Sequence, residues 1–81
     1  MKYQPPIQVS LNTIGNITIS TVLLPKMFVG ETDQWETCLF YEDDSESSRV
    51  LSRYNSKQDA IEWHNKFVKH EFELQLDRKE I

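Results

Sequence analysis

The sequence predicts an α+β domain: an antiparallel sheet of three or four strands with one C-terminal helix packed on one face, in the order β-β-β-β-α. Short segments with alternating or β-branched residues fill the first two thirds of the chain, whereas the last third has one long stretch with helical periodicity. The chain of 81 residues is expected to form a single small domain, with residues 1–6 and 75–81 frayed.

The first two strands are predicted to form a hairpin. Residues 7–11 alternate apolar and polar side chains, as in a half-buried strand, and Gly15 and Asn16 both tolerate a positive φ in a tight turn. Residues 17–24 are rich in β-branched side chains and end at Pro25. Their second half is apolar on both faces, which is typical of a central strand or of one covered by more than the helix.

Two further strands are predicted at residues 35–41 and 49–54. The connection before the first of them, residues 26–34, is unusually apolar because it holds Met27 and Phe28, so it either packs on the core or offers a contact patch. Residues 42–48 contain no apolar side chain and are predicted to be a solvated connection.

A helix is predicted from about residue 57 to about residue 74. Ser56 is suited to cap its first turn, and Asp59 favours the positive end of the helix dipole. At 100° per residue, one half of the helix carries nine residues, which predicts one broad surface facing the core. They are Ala60, Ile61, Trp63, His64, Phe67, Val68, Glu71, Phe72 and Leu74.

Charge is distributed unevenly along the chain. The formal net charge is −4, which disfavours direct binding to nucleic acid. Residues 31–46 include seven carboxylates and neither Lys nor Arg, whereas residues 49–57 hold three basic residues and no acid. The acidic stretch is therefore a candidate docking surface for a basic partner.

The residue types used in catalysis are sparse. His64 lies in the middle of the apolar stripe, which favours a buried, hydrogen-bonded histidine, and His70 is rotated too far around the helix to share a metal with it. Cys38 is interpreted as a small core residue. The acids at 43–46 lack the glycine and distal glutamate of a calcium loop, and no glycine-rich phosphate loop is present. No enzyme activity, metal or cofactor is expected.

The composition indicates the cellular compartment in which the chain is expected. The longest apolar run, residues 22–24, is much shorter than a membrane span, and no export signal opens the chain. A single cysteine cannot form an internal disulfide, which favours a reducing cytoplasm.

Four short segments occur in order along the chain. They are Ile-Ser-Thr-Val-Leu-Leu at 19–24, Trp-Glu-Thr-Cys-Leu-Phe at 35–40, Arg-Tyr-Asn-Ser at 53–56, and Asp59-Ala60 followed by His64. They resemble the approximate pattern ISTV(F/W)L…FETM(V/I)F…RYST.EEA..GH of a group of small proteins from tailed bacteriophages and prophages, and the resemblance extends over about two thirds of the chain. Trp35, Cys38 and Trp63 replace the Phe, Met and Gly of the pattern. The resemblance implies phage origin and a host-cytoplasmic setting, and it implies no catalytic residues.

Three functional hypotheses follow. In the first, the chain is a phage accessory protein that binds a host or phage protein, for example to inhibit a host defence or nucleic-acid-handling protein through its acidic surface. In the second, it is a structural or assembly component that self-associates, for example as a homodimer. In the third, a pocket between helix and sheet binds a small ligand. The candidate partner-binding residues are Met27, Phe28, Glu31, Asp33, Glu42, Asp43, Asp44 and Glu46.

Overall fold

Four strands in the spatial order β1-β2-β3-β4 form one antiparallel sheet, and one helix packs on one of its faces. The computed structural model describes residues 6–26 and 30–79, except for the side chains of 44–47, 78 and 79. The predicted α+β fold with the order β-β-β-β-α is confirmed. The elements are β1 (Ile7–Ile14), β2 (Ile17–Leu23), β3 (Trp35–Tyr41), β4 (Asp44–Tyr54) and α1 (Lys57–Lys79).

The hairpin between β1 and β2 closes as the sequence predicts. Ile14 pairs with Ile17 across the Gly15-Asn16 turn, and Gly15 has φ +61°, which a residue without a Cβ adopts at little cost. The register shifts between Gln8 and Ser10, so β1 contains one extra residue. That extra residue, Val9, packs beside the core.

Three elements are longer than the sequence predicts. β1 continues to Ile14 instead of ending at residue 11. β4 begins at Asp44 instead of residue 49, because Tyr41 pairs with Asp44 directly across a two-residue turn. Pairing with the neighbouring strand therefore extends β4 into a segment without apolar residues. The helix continues to Lys79, so residues 75–79, which were expected to fray, are helical. There Gln75 donates a hydrogen bond to the carbonyl oxygen of Ile14 at 2.7 Å, which ties this part of the helix to the β1–β2 turn.

The core lies between the sheet and a narrow line along the helix. Its two buried clusters are Ile17, Ile19 and Leu39 near one end of the sheet, and Trp35, Tyr54 and Ala60 near the other. On the helix, Ala60, His64 and Glu71 are buried, and Phe67 and Val68 are half-buried.

The margins of the predicted helix surface are exposed, and here the prediction is wrong. Trp63 is 45% exposed and Phe72 53%, and Ile61 and Leu74 also remain in solvent. A helix about 10 Å wide touches a flat sheet along one line, and no second helix lies beside it in the described part of the chain. Trp63 instead contacts its own helix, with its ring centroid 6.0 Å from that of Phe67 and the Nζ of Lys66 4.5 Å above it.

No helix among the described residues has the length and apolar character needed to cross a membrane.

Candidate functional site

A chain of buried hydrogen bonds joins the helix to the middle of the sheet. His64 is fully buried, with its Nδ1 2.8 Å from Oγ1 of Thr21 and its Nε2 2.7 Å from Oδ1 of Asn12. Oγ1 of Thr21 lies 2.6 Å from Oγ1 of Thr37. The Asn12 oxygen can only accept, so Nε2 carries the hydrogen and Nδ1 accepts from the Thr21 hydroxyl. The Thr21 oxygen in turn accepts from Thr37.

This network explains how the polar side chain of His64 can be fully buried. Both of its ring nitrogens have partners, and burial lowers the pKa of the imidazole, so the neutral form is favoured. The prediction of a buried, hydrogen-bonded histidine is confirmed. Because the ring is fully buried in this closed network, we assign it the task of holding the helix on the sheet.

No helix among the described residues packs on the opposite face of the sheet. Register places alternate residues of each strand on this side, which we call the open face. Its central row runs across all four strands through Leu11, Ser20, Cys38 and Val50. Leu11 and Val50, on the two outer strands, are each 51% exposed. Phe40, which pairs with Thr18, adds a ring that is 39% exposed.

The charged groups on the open face neutralise each other. Nε of Arg53 lies 2.8 Å from one carboxylate oxygen of Glu36, and the Cys38 thiol donates to the other at 3.1 Å. Among the described side chains that register places on this face, these are the only charged ones. The open face therefore has no net charge from its described residues, and its exposed apolar side chains lie among uncharged polar ones such as Thr13, Thr18 and Ser20.

Cys38 lies on the open face rather than in the core, which corrects its interpretation as a core residue. It is half-buried, and burial together with the negative Glu36 raises the pKa of its thiol to about 11. Nearby Arg53 acts in the opposite direction but more weakly. At neutral pH the thiol is therefore protonated and a poor nucleophile.

The acidic candidate residues do not form one surface in the structure. Glu31 and Asp33 precede β3, whereas Glu42 and Asp43 follow it, so about 24 Å of strand separates the two pairs. All four are exposed, and Asp33 forms a 2.9 Å ion pair with Lys26. The side chains of Asp44 and Glu46, together with Met27 and Phe28, lie outside the described part of the chain. Partner binding by these eight residues stays a prediction.

Other chemical sites have little support in the described residues. No group of three or more His, Cys, Asp or Glu side chains among them is placed to hold a metal ion. Two shallow depressions of about 300 Å³ lie at the ends of the sheet, one beside Ile14 and Phe72 and one beside Leu24 and Gln34. Both are wide open to solvent, unlike the clefts that enclose most of a small ligand's surface.

The open face is the feature that sequence reasoning undervalued. Strand alternation puts Phe40 and Cys38 on the same side of their strand, but it does not show which side faces the helix or that Leu11 and Val50 would join them. That requires the register and the extra residues in β1 and β4. The comparisons add no further assignment: no family model, curated protein or solved structure matches this chain.

Proposed function

We propose that this chain acts by binding protein, and that the open face is its binding surface. The observation that carries the proposal is a four-stranded sheet with one side that the helix does not cover, on which Leu11, Phe40 and Val50 expose large apolar side chains. Antiparallel sheets commonly leave one face in solvent, but that face is then usually polar. Here the outward positions are apolar or uncharged apart from one internal ion pair.

The geometry favours protein binding over catalysis. The fully buried histidine is committed to the helix–sheet contact, and the thiol on the open face is held protonated at neutral pH. A flat surface with exposed apolar side chains and a few polar groups resembles the core of a protein interface. The phage accessory role implied by the sequence resemblance is compatible with such a binding protein and forms part of this proposal.

The test is affinity capture from a bacterial host lysate with tagged chain, followed by mass spectrometry. Val50→Glu places a charge on the open face, and Phe72→Glu is a matched control because Phe72 is exposed to almost the same extent, 53% against 51%, but lies on the helix. We expect the Val50→Glu variant to lose a protein that the parent and the control both recover. Identical recovery by all three chains would refute binding through the open face.

A second candidate is docking of a basic partner on the acidic turn between β3 and β4. Glu42 and Asp43 are adjacent and exposed there, and neighbouring carboxylates attract Lys and Arg side chains. In this version the chain inhibits a host defence or nucleic-acid-handling protein. Charge reversal at both positions should abolish capture of such a partner, with reversal of Glu62 and Glu73 on the helix as control. Unchanged capture after reversal at the turn would eliminate acidic docking there.

A further inference from the structure

We infer that the open face is covered by a second copy of this chain, in a symmetric dimer that packs sheet against sheet. This inference rests on the proposed use of the open face for protein binding and specifies its occupant. Two properties of the open face support a second copy, namely its charge and its dimensions.

The charge of the face suits self-association. In a twofold dimer the same patch meets itself, so any net charge on it would repel its own copy. The chain as a whole carries −4, yet the described open-face side chains sum to zero because Arg53 neutralises Glu36. The exposed acids Glu42 and Asp43 lie in the turn beyond the end of β3, outside the face. A strongly basic partner would have no unpaired carboxylate to meet among the described residues of the open face.

The dimensions of the open face allow a small interface between two copies. Four strands are about 19 Å across, and seven residues of β2 or β3 are about 24 Å long. Two such faces provide about 900 Å² before the relief of the side chains is counted, close to the lower limit of about 1,000 Å² for a specific contact. We therefore expect a reversible dimer with a dissociation constant in the micromolar range.

Cys38 provides an internal reporter for this contact. It is the only cysteine of the chain and lies in the central row of the open face, between Ser20 and Val50. Stacked sheets approach to about 10 Å, which leaves no room for an alkylating reagent between them. Dimerisation through the helix side would leave the thiol as accessible as it is in the monomer.

The experiment combines sedimentation with iodoacetamide alkylation at pH 9, from about 1 µM to about 1 mM chain. Mass action predicts that the mass rises from monomer to dimer while the alkylation rate of Cys38 falls about tenfold over this range. In the Val50→Glu variant we expect a monomer with a constant rate, and in the Phe72→Glu control we expect the behaviour of the parent. Circular dichroism establishes that both variants are folded.

Each outcome separates this inference from the proposed function. If the parent chain stays monomeric at the highest concentration and its alkylation rate is constant, the inferred dimer is refuted. If Val50→Glu still abolishes capture of another protein in that case, the proposal that the open face binds protein remains supported. A dimer that Phe72→Glu dissociates and Val50→Glu leaves intact places the contact on the helix side and also overturns the inference. A Val50→Glu chain too unstable to fold is replaced by Val50→Thr, for which we expect weaker dimerisation and faster alkylation at high concentration.

Discussion

Replacing Thr21 by Val should destabilise the fold far more than the size of the change suggests. Val has the shape of Thr without its hydroxyl, so packing is retained while two hydrogen bonds are lost, those to Thr37 at 2.6 Å and to Nδ1 of His64 at 2.8 Å. All three side chains are fully buried, and water cannot replace the missing partner. Each buried polar group left without a partner costs about 1–3 kcal/mol.

The net effect expected for Thr21→Val is a loss of about 2–3 kcal/mol, since a small gain from burying the added methyl group offsets part of the two penalties. A domain of this size has only about 3–5 kcal/mol of net stability, so more than half of it would disappear. The melting temperature should fall by about 10–20 °C. Urea unfolding followed by tryptophan fluorescence measures the change, at one fixed protein concentration because association adds to stability.

Thr13→Val is the matched control for this measurement. Thr13 and Thr18 also form a hydroxyl–hydroxyl contact, at 3.1 Å, but it is exposed, so water replaces the lost bond. We expect that variant to stay within about 0.5 kcal/mol of the parent. The double variant Thr21→Val, His64→Leu should lose less than the sum of its two single changes, because the orphaned nitrogen is then removed. Equal stability of the Thr21→Val and Thr13→Val variants would refute the view that the buried network holds the helix on the sheet.

Three further outcomes are expected from the described contacts. Burial lowers the pKa of His64 in the folded state, so the unfolded chain takes up a proton first as the pH falls. The free energy of unfolding, measured with urea, should therefore have its full value above about pH 6.5 and decrease below it. A His64→Leu variant should lose this dependence between about pH 7.5 and about pH 5.5. Glu36→Gln removes a negative charge that raises the pKa of the Cys38 thiol, so its alkylation at about pH 8.5, measured on dilute monomer, should become faster. An unchanged rate would contradict the role of Glu36 in raising this pKa. Gly15→Ala places a Cβ 2.5 Å from Oε1 of Gln75 at a positive φ, and should cost about 1–2 kcal/mol in urea unfolding; the cost should shrink in a Gln75→Ala background if the contact matters.

The strands could be predicted from the sequence wherever side-chain pattern alone determines them. β3 has the predicted bounds, because residues 35–41 are rich in aromatic side chains and lie between polar flanks. The start of β4 could not be predicted, since residues 44–48 enter the strand by pairing backbone to backbone with β3. The C-terminal extension of the helix depends in the same way on a tertiary contact, the one between Gln75 and Ile14.

The sequence predicts only the histidine of the buried hydrogen-bond network, not its partners. The central place of His64 in the apolar stripe indicates burial, and that part is confirmed. Its partners Thr21 and Thr37 occupy strand positions in line with Ile19 and Leu39, where a polar residue facing the core requires a hydrogen bond. The signal was present as two threonines at core positions, but matching them to the histidine requires knowing where the helix crosses the sheet.

The same arrangement explains why the molecule has so much apolar surface left over. Helical periodicity identifies which residues share one side of the helix, but it does not show how wide the sheet surface beneath them is. Here the buried line along the helix includes polar side chains such as His64 and Glu71. Specific hydrogen bonds therefore fix the helix in position, while apolar residues such as Trp63 and Phe72 remain at its margins. With a core this small, stability depends on a few specific contacts, and a fold of that kind gains most when another surface covers its open face.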